Sequence, residues 1–254
     1  MTLRFALIGE DLSRSPSKAI HTYVFEKLGF SADYELLPVR RDEAKKKIPH
    51  LLAELDGLNV TTPYKEDVAM MLVESGCLSE EARKAMSVNT ICRGKGYSTD
   101  YVAVKRVLEH LQRKVGQSCL LVGAGGAARA ASLALGELGF TVEVLNRSEH
   151  RAKRLVDDMR ALGFDFFMWD GERDADLVVN AIPPEPQLKF RPKAYLDFSY
   201  LRRAEMGSEI NVGGDEILVL QALEADAIWF GDEVRNVDEK EVLEVARQFI
   251  WKGD

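Results

Sequence analysis

The clearest chemistry in this sequence of 254 residues lies in one loop, Leu121-Val122-Gly123-Ala124-Gly125-Gly126-Ala127-Ala128-Arg129. It joins an apolar run, Cys119 to Val122, to a stretch with helical periodicity. Gly123 permits a tight turn, Gly125 lets the backbone approach a pyrophosphate, and Ala128 takes the small position where helix meets strand. A helix opening there offers backbone N–H groups and a partial positive charge to phosphate oxygens. The pattern predicts a dinucleotide site. The next apolar run, Val142 to Leu145, ends in Asn146-Arg147-Ser148. A site for NAD has Asp or Glu there to hold the ribose 2′-hydroxyl. A guanidinium instead suits a 2′-phosphate, with the Ser148 hydroxyl as a further donor. NADP is the cofactor expected; the alternative is that Arg147 is a solvated residue at a helix start.

Three polar clusters precede that loop: Ser13-Arg14-Ser15-Pro16; Asn59-Val60-Thr61-Thr62-Pro63-Tyr64-Lys65; and Val88-Asn89-Thr90 with Ser98-Thr99-Asp100. Each falls where a strand or loop is expected to end, the place where open α/β sheets bind ligands. Hydroxyls and amides there suit a polyol, although each cluster alone is also ordinary turn and cap chemistry.

Taken in order, with Asn146-Arg147-Ser148, Val179-Asn180-Ala181 and Leu220-Gln221-Ala222 following the Gly-rich loop, these segments resemble the shikimate dehydrogenase family over nearly the whole chain. The resemblance implies an NADP-dependent enzyme that interconverts shikimate and 3-dehydroshikimate in aromatic amino-acid biosynthesis. It assigns Lys65 and Asp100 as the catalytic pair. Ser13, Ser15, Thr61, Asn89, Tyr200 and Gln221 become substrate contacts. Gly123, Ala124, Gly125, Gly126, Ala127, Asn146, Arg147, Ser148 and Ala181 become cofactor contacts. The chemistry suits these types. Hydride arriving at a ketone leaves negative charge on oxygen, which a lysine ammonium can stabilise and protonate. A carboxylate can hold that lysine and tune its proton exchange. Gln221, on an otherwise apolar helix face, is either a ligand contact or a satisfied core amide.

Several positions depart from the family pattern. Leu12 stands where a histidine is common, Ser98 replaces an asparagine, and Tyr101 follows Asp100 in place of a small residue. Ile182-Pro183-Pro184 replaces a cofactor loop containing Thr and Gly, and Leu201-Arg202-Arg203-Ala204-Glu205 follows Tyr200. The chain also looks short before Gly213-Gly214. Two other readings therefore stay open. One is a paralogue acting on quinate or an aminated relative, with NAD as an option. The other is a non-catalytic NADP(H)-binding regulatory module, against which the retained Lys65 and Asp100 weigh.

The elements that must position these residues alternate between strand and helix periodicity, which predicts α/β architecture with mostly parallel sheets. Strands are expected at 3–8, 34–39, 57–61, 88–92, 119–122, 141–145, 164–169, 176–181 and 194–198. Helices are expected at 17–28, 42–55, from Pro63 to about 74, after Ser79, at 100–111 with Asp100 as cap, to 138, and at 149–162, 215–227 and 238–250. The resemblance implies a substrate domain from 1–100 with 216–254, to which the C-terminal helices return. A Rossmann-type NADP-binding domain, 101–215, is inserted between. His21 is placed on the polar shoulder of its helix, in a structural role. Lys45-Lys46-Lys47 reads as a solvated helix face.

The composition is that of a soluble globular protein, 46% hydrophobic and 30% charged, with a net charge of −7 that argues against nucleic-acid binding. No apolar run approaches the length of about 18 residues that spans a membrane, and Glu10 and Asp11 cut the first apolar run too short for a signal peptide. Three isolated cysteines fit a reducing cytoplasm without disulfides, and no Cys or His spacing predicts a metal. A small-molecule substrate is the partner expected, and a homodimer is the assembly left open.

Overall fold

The computed structural model describes residues 2–183, 186–201 and 207–251. The chain divides into two compact units: Met1–Thr99 with Val219–Asp254, and Asp100–Leu218.

The first unit begins β1 (Leu3–Gly9), α1 (Ser17–Leu28), β2 (Ala32–Pro38), α2 (Arg41–Glu54), β3 (Gly57–Val60) and α3 (Lys65–Val73). It continues through α4 (Glu80–Ala85), β4 (Thr90–Cys92) and β5 (Lys95–Tyr97). Its sheet has the order β2-β1-β3-β4-β5. The first three strands are parallel, and β4 and β5 add an antiparallel hairpin. Because β2 and β3 lie on opposite sides of β1, the chain reverses its direction of progress between β1 and β3. The loops leaving those two strands therefore flank a switch point, where an open sheet leaves room for a ligand. Ile8, Leu58, Val60, Tyr64 and Val68 fill the core beneath; each large apolar side chain fully buried there contributes about 1.5–3 kcal/mol.

The second unit holds α5 (Thr99–Leu111), whose first residue belongs to the first unit, then β6 (Ser118–Val122), α6 (Gly126–Glu137), β7 (Thr141–Leu145), α7 (Glu149–Ala161) and β8 (Phe166–Met168). β9 (Leu177–Asn180), β10 (Ala194–Asp197), β11 (Ile210–Val212) and the start of α8 (Gly214–Phe230) follow. Its sheet is parallel throughout, in the order β11-β10-β9-β6-β7-β8. This is the doubly wound dinucleotide-binding order, with its switch point between β6 and β9. Both strands are almost wholly buried, as parallel strands covered on two faces must be. The rest of α8, a 3-10 turn at Asp232–Asn236 and α9 (Glu239–Ile250) belong to the first unit. No helix among the described residues is long and apolar enough to cross a membrane.

The expected elements are present, with boundaries shifted by a few residues. Ser79 caps α4 by accepting from the Ala82 N–H, and Gly29 ends α1 at φ 71°. Two expectations need correction. Helix α5 starts at Thr99, so Asp100 sits in its first turn rather than at its cap; a carboxylate there still complements the helix dipole. His21 is not on a polar shoulder: it is buried on the inner stripe of α1 with Ile20, Val24 and Phe25. Strands β5 and β11 and the 3-10 turn are additions, each only three to five residues long and without a usable period.

Candidate active site

In the first unit, the loops at the switch point hold the first two polar clusters. Thr61 follows β3, and its N–H donates to Ile8 O at 2.9 Å, while Glu10 N–H donates to Thr62 O at 3.2 Å. The two loops are thus laced together. The fit is tight: a Cβ on Gly9 would lie 2.5 Å from Thr61 Cγ2 and 2.8 Å from Leu12 Cδ2. Leu12 is buried, so the residue in the family's histidine position is packed inside here. Ser15 is buried and donates to Ser17 Oγ at 3.1 Å. Ser13 is exposed, and both its N–H and its hydroxyl donate to Asp11 Oδ1, at 3.0 and 2.7 Å. Those bonds hold the Asp11 carboxyl below its usual range.

Lys65 is the first residue of α3 and half-buried. Its placement is set from two sides. The preceding Tyr64 is buried and donates to Val39 O at 2.5 Å, and the Lys65 carbonyl accepts from Val88 N–H at 3.0 Å. The second bond ties the start of α3 to the residue before Asn89.

The third cluster is the most connected. The Asn89 side chain is buried; its Nδ2 donates to Thr99 Oγ1 at 2.7 Å and to Gln221 Oε1 at 3.0 Å, and its Oδ1 accepts from Thr99 N–H at 2.7 Å. Beneath it, Asn59 Nδ2 donates to Asn89 O at 3.2 Å and to Thr90 Oγ1 at 3.0 Å, and Asn59 Oδ1 accepts from the Tyr34 hydroxyl at 2.7 Å. Satisfied amides of this kind fix side-chain positions, because a rotation would leave a buried polar group unpaired. Gln221 reaches the cluster from α8, which resolves its two readings in part: it is bonded within the protein, and it stands beside the polar cluster. Ser98 presents a buried hydroxyl with no hydrogen-bond partner among the described residues.

The expected catalytic partner Asp100 and the expected substrate contact Tyr200 lie in the second unit. Asp100 is buried in the first turn of α5. Tyr200 is half-buried, just beyond β10. Asn180 organises that end of the sheet: its Nδ2 donates to Ile182 O at 3.0 Å and Asp197 Oδ1 at 3.2 Å, and Asp197 Oδ1 also accepts from Ser199 N–H at 2.9 Å. Tyr101, the bulky departure after Asp100, is buried and donates to Glu137 Oε2 at 2.5 Å, which Lys105 also reaches at 2.7 Å. Burial and that carboxylate push the Tyr101 phenol up to about 12. Its size is used to brace α5 against the end of α6. Residues 202–205, the other departure after Tyr200, lie outside the described residues, as do Pro184 and Glu185 of the expected loop.

The Gly-rich loop sits at the switch point of the second sheet. Gly123 has φ 119°, a conformation that L side chains rarely adopt, and its N–H donates to Leu145 O at 2.8 Å. Ala181 N–H donates to Val122 O at 2.8 Å, which brings the loop after β9 beside the turn. A Cβ on Gly123 would come within 3.1 Å of Ile182 Cγ2, so the altered loop at Ile182 packs against the turn. Gly125, which has no side chain of its own to cap with, is the N-cap of α6. Ala124 is buried, whereas Gly125, Gly126 and Ala127 are half-buried. Asn146 Nδ2 donates to Ser148 O at 2.9 Å, shaping the turn after β7, with Arg147 and Ser148 exposed beside it. The last residue of the motif serves packing instead, since Arg129 is buried and pairs with Asp158 on α7. This arrangement fits a dinucleotide: a turn in a conformation that glycine adopts freely, a helix opened by glycine, and a cation at the end of the second strand.

Sequence reasoning passed over Asn59 as a packing residue, Thr99 as the link between Asn89 and Gln221, and the pair His21–Asp226. Asn59 and Thr99 fall within the second and third polar clusters; a buried amide in a strand is the signal that marks such a position. Nothing in the sequence marks Asp226 as the partner of a residue 205 positions earlier.

Comparison with known proteins agrees with this architecture. Residues 7–91 match the family model for the shikimate dehydrogenase substrate binding domain. A shikimate dehydrogenase of Sulfurisphaera tokodaii is 37% identical, over 98% of this chain and 97% of that protein. A shikimate dehydrogenase (NADP(+)) of Sulfolobus acidocaldarius is 38% identical, over 95% of this chain and 94% of its own length. The crystal structure of the Thermus thermophilus shikimate 5-dehydrogenase, in complex with NADP(H) and shikimate, superposes with a TM-score of 0.80 at 28% identity, covering 98% of this chain and all of that one (100%). The chain belongs to the shikimate dehydrogenase family.

Proposed function

We propose that this protein is an NADP-dependent oxidoreductase that reversibly reduces 3-dehydroshikimate to shikimate, in the cytoplasm, as a step of aromatic amino-acid biosynthesis. The observation that carries the reading is the hydrogen-bonded group Asn89, Thr99 and Gln221 in the first unit, in a chain whose relatives are named for this activity along its whole length. The Thermus thermophilus relative is described as holding NADP(H) and shikimate together.

On this reading the first unit, extended to Asp100, binds the substrate, and the second binds the cofactor. Ser13, Ser15, Thr61, Asn89, Tyr200 and Gln221 hold hydroxyls and carboxylate. Ser13 can accept from a substrate hydroxyl with its bond to Asp11 intact, and must redirect that bond only to donate to the substrate. Lys65 donates the proton to the substrate oxygen as negative charge develops there, and its ammonium stabilises that charge beforehand. Asp100 orients Lys65 and the reacting hydroxyl. NADP supplies and accepts the hydride when bound. Gly123, Ala124, Gly125, Gly126 and Ala127 present backbone to its pyrophosphate. Asn146, Arg147 and Ser148 meet its 2′-phosphate, and Ala181 borders the Gly123 turn.

The test is the absorbance of the reduced nicotinamide, NADPH or NADH, recorded with shikimate and with quinate, using NADP+ and NAD+ in turn. Reduction of NADP+ fastest with shikimate is expected. Faster turnover of quinate with NAD+ replaces the reading with the paralogue. Cofactor binding without turnover of any pair overturns it in favour of a regulatory module.

A further inference from the structure

Away from the polar cluster, the first unit buries an acid beside an imidazole. His21 on α1 and Asp226 on α8 are 1% and 0% exposed, with Nδ1 and Oδ1 2.6 Å apart. The His21 ring stacks on Tyr34 with centroids 4.3 Å apart and an interplanar angle of 17°, and its centroid lies 5.4 Å from that of Trp229. Asp226 Oδ2 has no hydrogen-bond partner among the described residues. Burial pushes the Asp226 carboxyl above its usual range, opposed by His21. Burying a carboxylate with one oxygen unmatched is unfavourable, and apolar side chains of similar size often pack such a position at least as stably. A group retained at that cost is best explained by geometry it enforces.

The geometry leads to the polar cluster by two routes. Asp226 lies five residues beyond Gln221 on the same helix, a rise of roughly 7.5 Å. Fixing Asp226 against α1 therefore fixes both the rotation and the axial setting of the helix that carries Gln221. On the other side, Tyr34, which stacks on His21, donates to Asn59 Oδ1, and Asn59 Nδ2 donates to the carbonyl of Asn89. Asn89 in turn donates to Gln221 Oε1. The pair is thus linked to both ends of the bond between the two amides, through Tyr34 and Asn59 to Asn89 and along α8 to Gln221. α1 itself starts at Ser17, two residues after Ser15, so the same pair anchors the helix that follows the first cluster.

We propose that His21 and Asp226 are positioning residues that set Gln221 and Asn89 for substrate, acting through the placement of α8 against α1. This rests on the reading of Gln221 as a substrate contact. The experiment is a double-mutant cycle on the dissociation constant of shikimate, measured by calorimetry on the full chain, with the NADP+ constant measured alongside. Asp226→Ala and Gln221→Ala are each expected to weaken shikimate binding about tenfold, a change of about 1.4 kcal/mol, with the NADP+ constant unchanged. In the Gln221→Ala background, Asp226→Ala is expected to add less than about twofold, because the group it places is gone. Asp226→Asn, which keeps an oxygen facing His21, is expected to restore most of the affinity. If Asp226→Ala does not fold, His21→Gln carries the same cycle. Additive losses in the double variant, or wild-type shikimate binding in Asp226→Ala with only a lower melting temperature, overturn the positioning role and leave Gln221 as a contact. Wild-type shikimate binding in Gln221→Ala removes the Gln221 assignment itself, and the proposal with it.

Discussion

The Nδ2 of Asn89 donates to Oε1 of Gln221 at 3.0 Å, although 132 residues separate them in sequence. Between those positions the chain builds a complete six-stranded parallel sheet before α8 brings Gln221 back. The bond joins a residue at the edge of β4 to one on a helix formed late in the chain. The polar cluster of the first unit is therefore completed only by the chain's return after the second.

That dependence is testable at Gln221. Gln221→Leu keeps the side-chain volume while removing the acceptor that Asn89 uses. The KM for shikimate is expected to rise about tenfold, the loss of roughly one hydrogen bond, with the KM for NADP+ unchanged. Steady-state kinetics with each substrate varied in turn provide the measurement; equal rises in both KM values count against a substrate-side role.

Arg147 is exposed at the end of β7, beside a turn closed by Asn146. A guanidinium there can meet a 2′-phosphate with charge-assisted bonds worth about 1.5–3 kcal/mol. Arg147→Ala is expected to raise the KM for NADP+ roughly 10- to 100-fold and to leave that for NAD+ nearly unchanged. Equal loss with both cofactors places Arg147 outside 2′-phosphate recognition.

Arg129 ends the Gly-rich motif, yet it is buried and paired with Asp158, tying α6 to α7. Asp158→Ala leaves a buried guanidinium without that carboxylate. Because Asp158 is partly exposed, the expected loss of stability is about 1–3 kcal/mol, read by urea unfolding. NADP+ affinity measured on the folded variant is expected to be close to wild type. A stability unchanged in Asp158→Ala contradicts the role given to the pair.

The phenol of Tyr101, pushed up to about 12, gives a pH dependence of known sign. A group that is harder to ionise in the folded state stabilises it fully below the unfolded value, near 10. That advantage is lost as the pH rises toward the folded value. The stability difference between wild type and Tyr101→Phe is expected to be constant below pH 10 and to shrink from there to about pH 12. Chemical denaturation across that range measures it, and a difference that grows with pH shows the sign to be wrong.

Much of this structure was legible because local signals and global needs coincide. Ser17 to Leu28 forms a helix ended by Gly29, as its apolar spacing and its glycine require. The motif at Gly123 adopts the positive φ that only glycine holds without strain. Where the two levels part, the sequence misleads. His21 reads as polar and therefore peripheral, yet its imidazole is matched inside the core by a carboxylate from α8. Tyr101 reads as a departure from the family pattern, bulky where a small residue is common, yet its hydroxyl has a partner in Glu137. In both cases the deciding contact comes from a distant segment, which no periodicity encodes. Short strands such as β5 and β11 escape for a different reason: three residues give too little pattern to recognise.

The chemical proposal rests most heavily on Lys65, whose backbone is pinned by Tyr64 and Val88 at the head of α3. The most direct test compares wild type and Lys65→Ala in two measurements on the same preparation: NADPH formation from shikimate and NADP+, and NADP+ affinity by calorimetry. Loss of turnover by a factor of about 10²–10⁴ with cofactor affinity retained is expected if the ammonium supplies the proton. Turnover at the wild-type rate in Lys65→Ala contradicts the account.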